Sequence, residues 1–326
     1  MTTFSVLDLV PVREGGTLEE AFAATTSLAR AAEAAGCKRF WIAEHHAMEG
    51  IAGGATSVVL AHVGNATRTI RIGSGGIMLP NHTPFQIAEQ FGTLAALFPG
   101  RVDLGLGRAP GAGPELQRAL RKDLHRAAEM FPQDVVELRA LLTGDIELPI
   151  VATPGLGARV ELWMLGSSLF GAQLAARLGL PYAFASHFAP DHLDAALAAY
   201  RSQFRPSAGL DKPHAMAAMT VIASETDEEA ELLASSQDQA FVRLRSGDPG
   251  KLPPPVPGYR DSLPESARAM LEHLGQARAV GSPKTVGDRI ARFIDRTRAD
   301  ELIVSGATFD PAARCRSLEL IAKAVA

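Results

Sequence analysis

The feature that most constrains the fold of this chain is the repeated alternation of short apolar runs with longer helical patterns. This alternation predicts βα units, in which a parallel sheet is covered by helices. The predicted strands cover residues 4–12, 39–44, 70–79, 102–107, 162–166, 182–186, 215–223 and 301–305. The predicted helices cover residues 17–35, 55–67, 84–98, 131–143, 169–179, 192–204, 227–236, 285–298 and 314–325.

Periodicity alone does not decide how eight parallel strands are arranged. They can close into a TIM (β/α)8 barrel or lie in a doubly wound open sheet. The dinucleotide-binding form of the open sheet has a GxGxxG turn after its first strand. Here Arg-Glu-Gly-Gly follows Val12, which counts against that form, and 326 residues suit one α/β barrel domain spanning residues 1–326.

Two segments, residues 107–132 and 241–281, do not fit simple βα repeats. In a barrel they would be long loops or insertions at the C-terminal face, where active sites lie. The first segment carries a basic cluster, which we interpret as a solvated helix face and, less favoured, as a lid that contacts an anion. Its members are Arg118, Arg121, Lys122 and Arg126.

Composition excludes several partners. A net charge of −4 argues against a nucleic-acid or anionic-membrane partner, because both require a basic face. The two cysteines, Cys37 and Cys315, form no CxxC pair, as is usual in a reducing cytosol. No basic segment precedes the first apolar run, and no run is long enough to span a bilayer. We therefore expect a soluble cytoplasmic protein.

Polar side chains follow the second predicted strand, which ends at Glu44-His45-His46. Neighbouring residues of a strand point to opposite faces, so His45 and His46 are not expected to face one site. With no other metal-ligand spacing in the chain, we predict no metal. One of the two histidines is a candidate general acid or base, and the simpler alternative is a hydrogen-bonded strand end.

Glycines and serines mark three further strand ends. Gly75-Gly76 indicates either a bulge or close approach of a ligand. Arg108 lies among glycines after the fourth strand and is a candidate phosphate ligand. Ser167 and Ser168 precede a helix, where they can act as N-caps or bind phosphate. Together these residues suggest a mononucleotide-like cofactor.

The stretches 44–46, 73–84, 88–94 and 99–111 carry a resemblance to a known family. They resemble the luciferase-like flavin monooxygenases, in the subgroup of LLM-class flavin-dependent oxidoreductases. The resemblance implies a TIM barrel that binds FMN and uses reduced flavin and O2 to oxidise a small organic substrate. Because the chain shows no nicotinamide motif, the resemblance also implies a separate flavin reductase. Relatives commonly form homodimers, so the resemblance implies a homodimer here.

The resemblance assigns the cofactor-binding residues one by one. Gly75 and Gly76 match the pair that holds a non-prolyl cis peptide against the flavin ring. Arg108 matches the ligand of the FMN phosphate, and Ser167 and Ser168 match the positions that complete the phosphate site.

The resemblance also assigns the catalytic residues. His45 matches the active-site base, and Glu44 and His46 match residues that support its orientation. Two departures stand out. Gly107 replaces the reactive cysteine of the light-emitting relatives, which argues against light emission, and Gly171 replaces a threonine that helps to hold phosphate.

Three other functions are alternatives to this one. The same barrel can use a deazaflavin for hydride transfer without oxygen, and sequence separates the two poorly. A non-catalytic flavin-binding protein is opposed by His45 and the long loops. A serine hydrolase is opposed by the lack of a GxSxG turn. The substrate is not specified by any motif.

Overall fold

The structure, a computed structural model, describes residues 2–109 and 114–325, and nine strands in this part of the chain form one parallel sheet. The strands are Thr3–Asp8 (β1), Arg39–Ile42 (β2), Arg71–Met78 (β3), Val102–Gly107 (β4), Glu161–Gly166 (β5), Tyr182–Phe184 (β6), Ala215–Ala223 (β7), Arg278–Gly281 (β8) and Glu301–Ser305 (β9). The helices are Leu18–Ala34 (α1), Thr56–Ala66 (α2), Pro84–Leu97 (α3), Pro114–Leu120 (α4), Leu124–Thr143 (α5), Leu169–Leu178 (α6), Leu193–Gln203 (α7), Asp227–Arg245 (α8), Glu265–Leu274 (α9), Pro283–Thr297 (α10) and Pro311–Val325 (α11).

The sheet closes into a ring. Strands β1 to β6 pair in chain order, β6 pairs with β7, β7 with β9, and β9 with β1. These eight parallel strands form a TIM barrel with helices around it, which confirms the predicted fold class. The ninth strand, β8, pairs with residues 220–223 of β7, whereas β6 pairs with residues 215–217.

Local sequence signals fix the start of several helices. Thr17 accepts a hydrogen bond from the Glu20 amide, and the Glu20 carboxylate accepts one from the Thr17 amide, which completes the predicted capping box of α1. Ser282 caps α10, and Pro283 occupies its first position, where a missing N–H costs no hydrogen bond. Each cap sets the direction in which a helix leaves the end of its strand.

Both segments that resisted interpretation as βα repeats contain regular structure. Segment 107–132 includes α4 and the first part of α5, and its residues 110–113 lie outside the described part of the chain. Helix α5 begins at Leu124 rather than at residue 131, because a buried apolar face of Leu124, Phe131 and Val135 continues through Pro132. The early start was missed because proline usually interrupts a helix.

Segment 241–281 is likewise more than a loop. It holds the last turn of α8, all of α9 and the four-residue strand β8. The Pro-rich stretch 253–257 is only the connection between them. Main-chain hydrogen bonds tie this connection to the loop after β1, where the Leu252 amide donates to the Val12 carbonyl (2.8 Å). The segment therefore packs beside the C-terminal face of the barrel.

The apolar core has two parts. The larger one lies between the barrel and its helices. The smaller one fills the inside of the ring, where Trp41 and Trp163 meet edge to face with their ring centroids 5.3 Å apart. Across the described residues, none of the helices has the length and apolar character needed to cross a membrane.

Candidate active site at the carboxyl ends of the strands

The predicted site residues lie at the carboxyl ends of four consecutive barrel strands. Glu44 and His45 follow β2, and the glycine pair lies in the second half of β3. Arg108 follows β4, and Ser167 and Ser168 follow β5. Because β2 to β5 are neighbours in the sheet, these residues share one edge of the barrel mouth.

Gly75 and Gly76 are joined by a cis peptide bond, as the resemblance implied. The β3–β4 pairing shifts register between Ser74 and Ile77, so the bulge is present as well. A Cβ atom on Gly75 would lie 2.5 Å from Leu7 Cδ1, and one on Gly76 would lie 2.7 Å from the Gly105 carbonyl oxygen. Backbone packing alone thus requires glycine at position 76, whereas a side chain at position 75 would require Leu7 to shift. Contact with a flavin ring stays a prediction.

The candidate phosphate site lies at the start of α6. Ser168 occupies the N-cap position but makes no side-chain capping hydrogen bond, so its hydroxyl group remains available. Arg108 is exposed, and its guanidinium carbon lies 4.3 Å from the centroid of the Phe170 ring. An exposed guanidinium beside a helix N-terminus with free N–H groups is a suitable arrangement for binding an anion.

Glu44 is the centre of a buried hydrogen-bond network. One of its carboxylate oxygens, Oε1, accepts hydrogen bonds from His46 Nε2 and from His82 Nε2 (2.6 Å for His82). The other, Oε2, accepts from the Met78 amide (3.0 Å). Burial opposes ionisation of Glu44, but these hydrogen bonds outweigh it and lower its pKa to about 2. The hydrogen bond to Glu44 raises the pKa of His46.

The same three residues form a cluster of potential metal-ligand atoms that sequence spacing did not indicate, and the absence of a metal stays a prediction. The potential ligand atoms of Glu44, His46 and His82 all lie within 4.8 Å of one another. The prediction missed this cluster because it considered nearby residues, whereas His82 follows Glu44 by 38 residues. The two hydrogen bonds to one carboxylate oxygen account for these short contacts without an ion.

In the part of the chain that the structure describes, the His45 side chain forms no hydrogen bond with that network. Because β2 ends at Ile42, this does not test the predicted alternation. Burial lowers the pKa of His45, and the Glu44 charge opposes this lowering. His187, which follows β6, is its neighbour: burial lowers the pKa of His187 to about 4, with repulsion from His45 adding to the effect. Within the described residues, the Nδ1 atoms of both rings are buried and have no hydrogen-bond partner. Two unused polar atoms are therefore left beside the mouth.

Sequence reasoning missed His82, His187 and Lys122 as members of the site. His82 lies inside the stretch 73–84 that carries the family resemblance, and His187 directly follows a predicted strand. Each position could therefore have indicated a site residue from the sequence. Lys122 belongs to the basic cluster interpreted as a solvated face, yet its ammonium group donates to the carbonyl oxygens of His82 and of Pro80 (3.4 Å for Pro80).

A family model described as luciferase-like monooxygenase matches residues 2–301. The chain belongs to the luciferase-like monooxygenase family. A luciferase-like monooxygenase of Escherichia coli (strain K12) is 48% identical over 97% of this chain and 95% of that protein. The N-acetyl-S-alkylcysteine monooxygenase of Bacillus subtilis (strain 168) is 34% identical over 76% of this chain and 75% of that protein. Membership of this family indicates an oxidoreductase.

Solved structures share the luciferase-like fold. That of apo-MsnO8 has a TM-score of 0.89 and 35% identity, over 99% of this chain and 98% of that one. At 19% identity and a TM-score of 0.72, the oxygenating constituent of 3,6-diketocamphane monooxygenase from Pseudomonas putida, in complex with FMN, matches 100% of this chain and 98% of that one. The structure of an F420-dependent secondary alcohol dehydrogenase matches at 15% identity and a TM-score of 0.72, over 100% of this chain and 99% of that one. At these identities, the last two structures establish the fold alone.

Proposed function

We propose that this luciferase-like protein is an FMN-dependent monooxygenase of the two-component type. In this proposal a separate flavin reductase supplies reduced FMN, and O2 is the oxidant for a small organic substrate. The observation that carries the proposal is the barrel mouth itself, where His45 Nδ1 is buried without a partner in the described structure. A buried, unsatisfied nitrogen in a mouth of this kind favours a bound ligand over a purely structural role.

The residues present fit FMN. Arg108, the hydroxyl groups of Ser167 and Ser168 and the N–H groups at the start of α6 would hold its phosphate. The edge of β3 at Gly75-Gly76 would lie against the ring system. When bound in reduced form, FMN supplies the electrons with which oxygen is activated.

The protein's own residues would then handle protons and orientation. Because burial lowers the pKa of His45, its imidazole is neutral at neutral pH and can accept a proton. Glu44 stays ionised and fixed between His46 and His82, so it holds the end of β2 in place next to His45.

The alternative proposal is hydride transfer from a deazaflavin on the same barrel. It rests on the structural likeness to an F420-dependent dehydrogenase, and the residues at the mouth would serve either cofactor. A non-catalytic flavin-binding protein is a third reading, opposed by the neutral, unpaired His45. We further propose a cytoplasmic homodimer.

Anaerobic titration of the purified protein with reduced FMN, oxidised FMN and deazaflavin tests the proposal. We expect saturable binding with a preference for reduced FMN. Arg108→Gln should weaken this binding about tenfold or more, as expected for loss of a charge-assisted hydrogen bond. Arg118→Gln is the matched control, because Arg118 is 77% exposed and pairs only with Glu115 among the described residues.

Turnover decides between the activities. With reduced FMN and O2, we expect the protein to oxidise a small organic substrate. The first substrate class to test is an N-acetyl-S-alkylcysteine, which the name of the relative from B. subtilis gives. Binding of the deazaflavin alone would replace the monooxygenase proposal with the hydride-transfer one. Binding of neither cofactor would overturn both.

A further inference from the structure

A second cavity lies away from the barrel mouth. This cleft of about 460 Å³ is bounded by α8, α9, the start of β8 and α10. It shares no lining residue with the candidate active site. Small-molecule ligands usually occupy cavities of about 300–1,000 Å³. The cleft is therefore large enough for a small organic molecule and too small for a folded partner.

Cationic side chains dominate the cleft. It is lined by five arginines and two glutamates, namely Arg260, Arg278, Arg289, Arg292, Arg296, Glu231 and Glu272. Asp238, behind this lining, accepts hydrogen bonds from both Arg260 Nε (2.8 Å) and Arg278 Nη2 (3.3 Å). Arg278 also pairs with Glu231 (3.7 Å), and Arg296 pairs with Asp194 (3.8 Å). The five arginines therefore still outnumber Asp194, Glu231, Asp238 and Glu272.

Donor groups of the cleft are left unused. Arg260 Nη2 is buried and has no hydrogen-bond partner among the described residues. Arg289 donates to the Val280 carbonyl oxygen (3.1 Å), a neutral acceptor. In residues 2–109 and 114–325, neither Arg289 nor Arg292 has a carboxylate within ion-pair distance. A buried guanidinium N–H without a partner is costly and favours the binding of an acceptor.

The guanidinium groups also repel one another. Burial lowers the pKa of Arg278, Asp238 opposes this effect, and the charges of Arg260 and Arg289 add to it. An anion placed among these arginines would relieve that repulsion. The requirement for an anion thus follows both from unused donors and from excess positive charge.

The floor of the cleft is apolar. Met219, Leu271 and Phe293 line it and are only 2%, 2% and 4% exposed. We propose that the cleft binds a small organic phosphate, with its phosphate group among Arg260, Arg289 and Arg292 and its apolar body on this floor. The planar donor fork of arginine matches phosphate oxygens in pairs, and several arginines together suit a doubly charged group.

Isothermal titration calorimetry with phenyl phosphate tests the site, since this probe combines a phosphate with an apolar ring. We expect saturable binding at constant ionic strength, tighter than that of inorganic phosphate and of the dicarboxylate succinate. Arg260→Gln and Arg292→Gln should each weaken it about tenfold. Arg292 is exposed and unpaired in the described structure, so its variant should fold normally even if Arg260→Gln does not.

Two control variants locate the binding. Arg316→Gln removes an exposed arginine elsewhere, on α11, and should leave the affinity unchanged. Arg108→Gln shows whether any phenyl phosphate binds at the barrel mouth instead, where Arg108 is proposed to hold the FMN phosphate. Loss of binding in Arg108→Gln but not in Arg292→Gln would place phenyl phosphate at the mouth and overturn the proposal. The absence of saturable binding, or equal binding by all variants, would also overturn the proposal. Tighter binding of succinate than of phenyl phosphate would show that the site does not prefer phosphate.

Discussion

The two ends of the barrel interior contain opposite arrangements of polar groups. At the amino end, the Arg39 side chain is fully buried, yet each of its nitrogens has an acidic partner. Its Nε donates to Glu301 (2.7 Å) and its Nη1 to Asp103 (2.8 Å). The ring of Trp163 lies beneath the guanidinium, with its centroid 4.6 Å away. This end is a closed network.

At the carboxyl end, the buried polar atoms are partly unused. His45 and His187 each keep a buried Nδ1 atom that has no partner in the described structure. The difference shows how one barrel separates two tasks. Charges that are buried and paired stabilise the amino end, whereas buried polar atoms without partners lie at the carboxyl end, where we propose that a ligand binds.

The largest effect is expected at the amino end. Arg39→Met should lower the free energy of unfolding by about 3–5 kcal/mol, because it removes the buried cation between Asp103 and Glu301. Among the described residues, Asp103 then keeps only its ion pair with Arg71, and Glu301 keeps Lys38 at 3.6 Å. Urea unfolding measures this. Arg316→Met is the control, since its ion pairs are exposed and should contribute far less to stability. Equal losses in both variants would contradict the closed-network interpretation.

His45→Ala should give the reverse result at the carboxyl end. We expect turnover to fall about 100-fold or more, the usual contribution of a general base, with FMN still bound. The free energy of unfolding should change little, because the Nδ1 atom of His45 satisfies no partner. His62→Ala, at an exposed position on α2, is the control. Unchanged turnover with cofactor bound would exclude His45 as the base.

The unpaired histidines should also make stability depend on pH. Because the pKa of His187 is about 4, against an ordinary value of 6.5, the unfolded chain binds more protons between these values. The stabilisation from neutral His187 is full above pH 6.5 and is lost as the pH falls towards 4. His187→Gln should reduce the loss of stability between pH 7 and pH 5 by about 1–2 kcal/mol. A pH profile identical to that of His62→Gln would contradict this.

The smallest effect concerns the hydrogen-bond network around Glu44. Since that carboxylate raises the pKa of His46, Glu44→Gln should lower it, to below the ordinary value of 6.5 because burial then dominates. NMR titration of the ring protons measures the shift. Glu49→Gln, at a 70% exposed side chain nearby, should leave the pKa of His46 as it is. If Glu49→Gln lowered it equally, a general charge effect would explain the result.

Alternation of apolar runs with helical patterns was sufficient to predict all eight barrel strands, even though β2 and β6 have only four and three residues. Closure of the ring came from the family resemblance, since periodicity is the same in open and closed sheets. Strand β8 was missed because it has only two apolar side chains, Ala279 and Val280, and lies in a segment without continuous apolar periodicity. The cleft beside it was missed for the same reason.

The candidate site divides in a similar way. Gly75-Gly76, Arg108 and His45 were predicted because each has a signal within a few residues of its own strand. The contact between Glu44 and His82 joins two loops, and the burial of Arg39 requires carboxylates from other strands. These contacts form only when the barrel closes and brings distant parts of the chain together. Local sequence patterns do not indicate such contacts.

The pairing of β1 with β9 has a consequence for biosynthesis. Arg39 and its partner Glu301 are 262 residues apart in the chain, so they are not made at the same time. At about 5–20 residues per second, the ribosome needs roughly 10–50 s to add the intervening segment. During that interval the edge of β1 that later pairs with β9 has no strand partner, and Arg39 lacks Glu301. The nascent chain therefore has to be kept from premature association until its final strand emerges and seals the ring.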